Sequence, residues 1–475
     1  MTELFFSDIA SLSQLIQTKK LSPVEITDGT LKRIEQIDPT VNAFIKVLAE
    51  DARKQAVKLE QEVMDGQVRG PLHGVPIAIK DILETKGHET TAGSRVFESW
   101  IPDRDATVVD KLKEAGAIII GKANLHEFAM GATTENPHYG VCRNPWDLER
   151  VPGGSSGGSA VAVATGMCYG AIGTDTAGSI RLPAAICGIT GLKPTYGRVS
   201  RNGCLPFSWS LDHIGPMTRT VKDAAIMLEA ISGYDPLDSS SSFLPIDIQW
   251  ERGLPDLRGI KLAVVREHFF EDLDSELKVV IEQAITDIQA QGAEIIEIQF
   301  EGLSDALQAL KLIAQSEVLA FHEPILKKHQ HLYGEDLQYR FNFGQSISAV
   351  QYLSAQRIRS KFIEEVKKKL SGFDALLAPA NAKRPFPIGT VPPDQAISNM
   401  FNLGRTPFGN IVGFPAMTIP CGFMPGNLPV GLQIIGKPFE EHRILQIAYV
   451  YERSHHWVAK LAQNEAYLTN PIRNS

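Results

Sequence analysis

The chain has 475 residues, 43% hydrophobic and 21% charged, and its 47 basic against 55 acidic side chains give a net charge of −8. This is the composition of a folded protein with a large core. The acidic balance excludes the dense basic surface that sequence-independent nucleic-acid binding requires. The five cysteines, Cys142, Cys168, Cys187, Cys204 and Cys421, are scattered and form no CxxC pair, so neither a zinc site nor a disulfide framework is indicated. No basic n-region leads into an apolar core at the N-terminus, and no run approaches ~18 strongly apolar residues. A cytoplasmic protein with no membrane partner and no direct nucleic-acid partner is expected.

In chain order, residues 1–65 read as helical. Ser22-Pro23-Val24-Glu25 combines a capping box with proline at the first helical position, and an amphipathic run continues to Ile37. A second helix is expected over Asp51 to Met64. Gly74 to Asp81 reads as a short apolar strand ending in two charges, Lys80 and Asp81. Asp105 is positioned to cap a helix through Ala115, which Gly116 closes, and Ala117 to Gly121 follows as a buried strand. The alternation recurs as strand Lys261 to Val265, helix Asp274 to Gln291 and strand Glu294 to Ile298, which argues for α/β layering. Residues 303–370 are helical with a polar middle and read as an insertion or lid. Strand-like runs return at Ala375 to Ala380, Ala416 to Pro420 and Val430 to Ile435. No repeat or long linker interrupts the chain, so one domain over 1–475 is expected, with 1–65 packed on it and the motif-rich segment at 66–235.

The stretch VPGGSSGGSAVAVATGMCYGAIGTDTAGSIRLPA, from Val151 to Ala184, is the densest in small residues and serines. It is no linker, because Ala160 to Ile172 is apolar and close-packing in type. It is no phosphate loop, because no lysine follows the glycines. Gly154 to Gly158 matches GxSxG, but that motif has meaning only after a buried strand, and none precedes it. The stronger candidate is Ser179, in a tight turn of small residues whose free backbone N–H groups could hold an oxyanion. A serine needs a base. No histidine is near in sequence, whereas Lys80, desolvated at the end of an apolar strand, would have its pKa lowered towards neutrality.

These residues carry a resemblance. Gly74-Val75-Pro76-Ile77-Ala78-Ile79-Lys80-Asp81, Pro152-Gly153-Gly154-Ser155-Ser156-Gly157-Gly158-Ser159, Asp175-Thr176-Ala177-Gly178-Ser179-Ile180-Arg181, Cys187 to Thr195, Gly413 to Ala416 and Gly431 to Gly436 together resemble the amidase signature family. The resemblance covers nearly the whole chain and is weakest between about 240 and 370. It implies a large mixed, twisted β-sheet covered on both faces by α-helices, an α/β fold. It implies a hydrolase cleaving the C–N bond of a carboxylic amide, with aryl esters and carbamates as further substrates, through a serine acyl-enzyme. Position by position, Ser179 resembles the nucleophile, Ser155 the bridging serine on a cis Gly154–Ser155 peptide, and Lys80 the base. The amides of Thr176, Ala177, Gly178 and Ser179 resemble the oxyanion hole. Ala177 departs from the glycine of many relatives at a position where only a backbone N–H is needed. No metal or cofactor is called for, the partner is a small amide-type substrate, and a monomer or homodimer is expected.

Other residues divide by chemistry. Asp175 and Arg181 read as scaffold for the turn through charge-assisted hydrogen bonds, and Ser156 and Ser159 as bonded to nearby backbone. His329 and His331 lack a carboxylate partner and read as solvent-facing. By the resemblance, Trp209 and the segment of Phe128, Met130 and Gly131 are candidate substrate-pocket residues. Within the family the alternative to a stand-alone amidase is the glutaminase subunit of the tRNA-dependent amidotransferase, which releases ammonia from glutamine. Arg359 falls where that subunit carries a carboxylate-binding arginine. The acid expected shortly before Thr406-Pro407 is missing from Asn402-Leu403-Gly404-Arg405, and Trp209 replaces a small residue. Both departures favour a bulkier, less polar substrate and the stand-alone reading.

Overall fold

The computed structural model describes residues 2–246, 248 and 253–464. Its strands, in chain order, are β1 (Phe44–Val47), β2 (Pro76–Lys80), β3 (Ile118–Ala123), β4 (Glu135–Asn136), β5 (Gly140–Val141), β6 (Gly170–Asp175) and β7 (Thr190–Lys193). They continue as β8 (His213–Thr218), β9 (Lys261–Val264), β10 (Glu294–Glu297), β11 (Ala375–Pro379), β12 (Ala416–Met424) and β13 (Leu428–Ile435). Eleven of them form one mixed sheet in the order β1-β3-β2-β6-β8-β7-β12-β13-β11-β9-β10, and β4 and β5 make a separate hairpin. Helices cover both faces of the sheet, as the α/β expectation required.

The central strands are apolar on both sides because both faces are covered. Every residue of β2, β3, β6, β7 and β8 is buried. Ile77 and Ile79 are wholly buried, and burial of each such side chain contributes roughly 1.5–3 kcal/mol. β2 lies between β3 and β6 and is parallel to both, with Ile79 opposite Ile172. The C-terminal ends of β2 and β6 therefore emerge side by side. β8 runs antiparallel to β6 with His213 opposite Asp175, so the residue before β8, Asp212, faces the residue after β6, Thr176.

Most expected elements form. The capping box at Ser22 is made: its Oγ accepts from Val24 N at 2.9 Å, and Glu25 Oε2 accepts from Ser22 N at 3.0 Å. That helix spans Pro23–Val41, four residues beyond Ile37, and is closed by Asn42 in the left-handed region. Residues 303–370 supply three helices, Leu303–His329, Glu335–Gln345 and Ala349–Leu370. Two expectations fail. Phe44–Val47, inside the stretch 1–65 read as helical, forms β1 and pairs antiparallel with β3 at the edge of the sheet. Asp105 does not cap the helix Thr107–Glu114, whose N-cap is Ala106. Its carboxylate instead accepts from Lys86 N at 2.8 Å and pairs with Lys113 at 2.6 Å. No helix among the described residues is long and apolar enough to cross a membrane.

Candidate active site

Lys80 is the last residue of β2 and is 0% exposed. Its Nζ donates to Ser155 Oγ at 2.7 Å and to Thr174 Oγ1, on neighbouring β6, at 2.7 Å. The adjacent Asp81 does not neutralise it. Strand alternation sends that carboxylate the other way, where it pairs with buried Lys122 at 3.2 Å and accepts from Thr91 N at 3.0 Å. Burial pushes the Lys80 amine down from 10.5 to about 7, against the opposing pull of Cys204, Asp175 and Asp212. A substantial fraction is thus neutral, and a neutral amine can accept a proton.

Ser155 stands on the loop before the helix Gly157–Ala164, after a cis Gly154–Ser155 peptide. Glycine at 154 follows from close packing: a Cβ there would lie 2.9 Å from Ala132 C and Thr133 N. Ser156 donates its hydroxyl to Thr174 O, and Ser159 donates to Ile172 O, each at 3.2 Å. Both bind backbone, so neither hydroxyl is poised for attack. No strand precedes Ser156, and the GxSxG match lacks its structural context.

Ser179 lies in the turn between β6 and the helix Arg181–Cys187. Asp175 organises that turn, accepting from Gly178 N at 2.7 Å, Ile180 N at 3.2 Å, Arg181 Nη2 at 3.0 Å and Asn410 Nδ2 at 2.8 Å. Arg181 in turn donates to Thr406 O at 2.7 Å and Asn410 Oδ1 at 2.6 Å. Burial would raise the Asp175 carboxyl, but Arg181 and its hydrogen bonds outweigh that and hold it well below the carboxylate range. A fixed, fully satisfied ion pair is a scaffold, not a proton carrier. Gly178 has φ +128°, and a Cβ there would overlap Thr406 Oγ1, so the turn admits only glycine.

The turn also revises the expected set of oxyanion donors. The Gly178 N–H is occupied by Asp175 Oδ1, whereas the amides of Thr176, Ala177 and Ser179 make no hydrogen bond among the described residues. Thr406 Oγ1 steadies the opposite side of the turn by donating to Ala177 O at 2.8 Å. Ser156 N donates to Ser179 O at 3.2 Å, tying the two serine segments together.

Three side chains at the site carry no motif that reading along the chain would pick out. Asp212 accepts from Thr176 Oγ1, and its other oxygen accepts from Phe207 N and Ser208 N, each at 2.9 Å. Burial raises its carboxyl to about 6 despite these donors. Glu317, on the helix Leu303–His329, accepts from Ser208 Oγ at 2.6 Å, Ser210 N at 3.1 Å and Tyr352 OH at 2.9 Å. It thereby ties the helical layer to the loop that carries Trp209. Asn410 is the third, through its bonds to Asp175 and Arg181. The only sequence signal for the first was strand register, and Glu317 gave none.

Trp209 is 45% exposed and stands between two recesses. One, of about 220 Å³, is lined by Arg201, Cys204 and Asp212 among others, and the second, of about 270 Å³, by Ala320, Ile347 and Tyr352. Phe128 is wholly buried, with its ring 4.4 Å from His322, 5.6 Å from Tyr333 and 5.8 Å from Phe97. Those are the contacts of a core anchor for the helical layer. Met130 is likewise wholly buried. Gly131 is held as glycine by the His126 ring, and its carbonyl backs Gly154. Its tie to the site is through backbone. His329 and His331 are exposed, and among the described residues no group of three His, Cys, Asp or Glu side chains could hold a metal ion.

Known proteins resemble this chain along most of its length. The A-subunit of the glutamyl-tRNA(Gln) amidotransferase of Moorella thermoacetica is 40% identical over an alignment covering 95% of this chain and 97% of that one. Among solved structures, the corresponding polypeptide from Thermotoga maritima superposes with a TM-score of 0.79 at 36% identity, covering 94% and 95% of the two chains. A bacterial aryl acylamidase superposes at 0.89 with 27% identity, covering 97% and 98%. The sequence relatives weigh toward the amidotransferase alternative more than toward the stand-alone reading. The Amidase family model matches residues 25–445, and the chain belongs to that family and is an amide hydrolase.

Proposed function

We propose that Ser179 is the nucleophile, Ser155 the proton bridge and Lys80 the base of a metal-independent amidase. The observation that carries this reading is the 2.7 Å hydrogen bond from the buried, partly neutral Lys80 amine to Ser155 Oγ. Neutral Lys80 takes the Ser155 proton, Ser155 takes the Ser179 proton, and Ser179 Oγ attacks the carbonyl carbon. The amides of Thr176, Ala177 and Ser179 hold the oxyanion. The relay then reverses and protonates the nitrogen, which leaves as a neutral amine or ammonia because an amide anion leaves poorly. Water enters by the same relay and hydrolyses the acyl-enzyme.

Asp212 serves this relay as a positioning residue: it orients Thr176, and its charge, with that of Asp175, opposes Lys80 deprotonation. The neighbouring charged group Arg201 and the Cys204 thiol are retained in Asp212→Asn. With one nearby negative charge gone, protonated Lys80 is less favoured and its pKa falls. The acid limb of kcat/KM is therefore expected to move to lower pH by roughly half a unit or more. An unmoved limb with wild-type activity would refute the electrostatic part of the role.

Two amide classes are in play. The relatives, A-subunits of the glutamyl-tRNA(Gln) amidotransferase, favour the amidotransferase alternative, in which glutamine is hydrolysed to glutamate and ammonia. The geometry favours a less polar amide. Arg359 Nε and Nη2 are held by Ile411 O and Ser210 O, each at 3.0 Å, and the position of the missing acid is a run with buried Leu403. Trp209 adds an apolar wall. Assaying the purified chain on glutamine and on an aryl acylamide decides between them. Faster anilide cleavage supports the apolar reading, and glutamine hydrolysis that rises with added partner subunits overturns it.

A further inference from the structure

Two hydroxyl oxygens meet the Lys80 amine, and the relay from Ser179 employs one of them. The other belongs to Thr174, which is buried at the penultimate position of β6. Its Oγ1 accepts from Lys80 Nζ at 2.7 Å, as close as Ser155 Oγ, and makes no other hydrogen bond among the described residues. The backbone that carries it is clamped. Thr174 N donates to Ser156 Oγ at 3.3 Å, and Thr174 O accepts from Ser156 Oγ at 3.2 Å. On its other edge β6 pairs with β8, with Thr174 opposite Ile214. The Ser156 clamp thus joins the strand of Thr174 to the residue after Ser155 and sets both oxygens in one frame around the amine.

The amine does not use the two oxygens alike. Protonated, it has three N–H bonds and donates to both. Neutral, it has two N–H bonds and one lone pair, and a proton can pass from Ser155 only when that lone pair faces the Ser155 hydroxyl. Rotation about the Cε–Nζ bond carries the lone pair away unless an acceptor holds one N–H elsewhere. Asp81 is engaged with Lys122 at 3.2 Å, and Lys80 forms no ion pair among the described residues. Thr174 Oγ1 is the acceptor that remains.

We propose that Thr174 is a positioning residue for the base: its hydroxyl oxygen holds one N–H of neutral Lys80, turns the lone pair toward the Ser155 hydroxyl, and accepts a charge-assisted bond from the ammonium once the proton has moved. This role rests on the reading of Lys80 as the base. Loss of the Thr174 oxygen acts on both halves of the cycle. The neutral amine is no longer held in its productive rotation, which slows proton transfer. The ammonium loses a bond that the neutral amine needs less, so the amine gives up its proton at lower pH. The titratable groups that act on Lys80 from neighbouring segments, Cys204, Asp175 and Asp212, are retained when residue 174 is changed.

Thr174→Val tests it, because valine retains the β-branched shape and the backbone bonds to Ser156 and removes only the acceptor. Above the limb, kcat is expected to fall at least ~10-fold. The acid limb of kcat/KM is expected to move down by roughly one unit, with a cooperative unfolding transition retained. Thr174→Ser restores the oxygen and is expected to return both the limb and kcat toward wild type. A limb that stays at its wild-type pH in Thr174→Val overturns the proposal, because lost packing slows turnover without moving the limb. A limb that stays shifted in Thr174→Ser also overturns it. So does a loss in Thr174→Val as deep as that of Lys80→Met, which would make Thr174 a proton carrier. Lys80→Met separates these results from failure of the base assignment. If that variant keeps the wild-type limb, Lys80 is not the base; if it loses the limb and Thr174→Val leaves it in place, only the role of Thr174 fails.

Discussion

Ser179→Ala is expected to lower kcat on any amide substrate by roughly 10⁴-fold or more, with the thermal unfolding midpoint essentially unchanged. The two halves have separate grounds. Catalytically, the relay through Ser155 to Lys80 has no other neighbouring serine to deprotonate: Ser156 and Ser159 donate their hydroxyls to Thr174 O and Ile172 O. Structurally, the turn is built by Asp175, Arg181, Asn410 and Thr406, and the Ser179 hydroxyl makes no hydrogen bond among the described residues. Its removal leaves no orphaned partner and almost no cavity, so none of the usual routes to a large stability loss applies. A fluorophosphonate probe gives the direct readout. Wild type should gain one adduct, mapped to Ser179, and the variant none. An adduct on Ser156, or near-normal turnover by Ser179→Ala, would refute the assignment. Ser156→Ala is the matched control: it loses two backbone hydrogen bonds, one donated to Thr174 O and one accepted from Thr174 N, about 1–3 kcal/mol in all, and should retain most activity.

What could be read along the chain, and what could not, follows from the kind of signal each residue emits. β2 announced itself as an unbroken apolar run ending in Lys80, and the small-residue turn before Ser179 pointed to exposed amides. β6 was harder to see. Gly170-Ala171-Ile172-Gly173-Thr174-Asp175 contains almost no β-branched alternation, because its glycines are needed where neighbours press in: a Cβ at Gly173 would lie 2.9 Å from Met217 Sδ. The donor set around Ser179 needed coordinates. That Gly178 N–H is occupied while its neighbours are free depends on how Asp175 folds back, which spacing does not encode. Asp212 and Glu317 lie 36 and 109 residues from the groups they bond, Thr176 and Ser208. Such contacts arise from strand register and helix docking. Phe128 illustrates the converse case: an aromatic in a segment read as a pocket wall is wholly buried, its ring against His322 and Tyr333.

The same distinction sets the expectation for the base. Lys80→Met retains the length and most of the volume of the buried side chain and removes the amine. It is expected to lower kcat by roughly 10³-fold or more, since an unassisted serine hydroxyl is a weak nucleophile. Wild-type kcat/KM should rise with pH through about 7, because the amine is an effective acceptor only after it has lost its proton and burial brings that loss to about 7. Below that value the protonated amine still donates to Ser155 and Thr174, so the fold persists while the relay stalls. In Lys80→Met the residual rate should lack this limb. Ser155 and Thr174 each lose a donor, and the variant should be modestly less stable, by about 1–3 kcal/mol. Activity loss and stability loss can be separated by working well below the unfolding midpoint. If the variant retained a wild-type limb near pH 7, another group would be the base. Asp212 is the titrating neighbour to examine next, since its carboxyl is raised to about 6 and it bonds the same oxyanion turn through Thr176. A carboxylate there would still have to reach Ser155, and the hydrogen bond to that hydroxyl comes from Lys80.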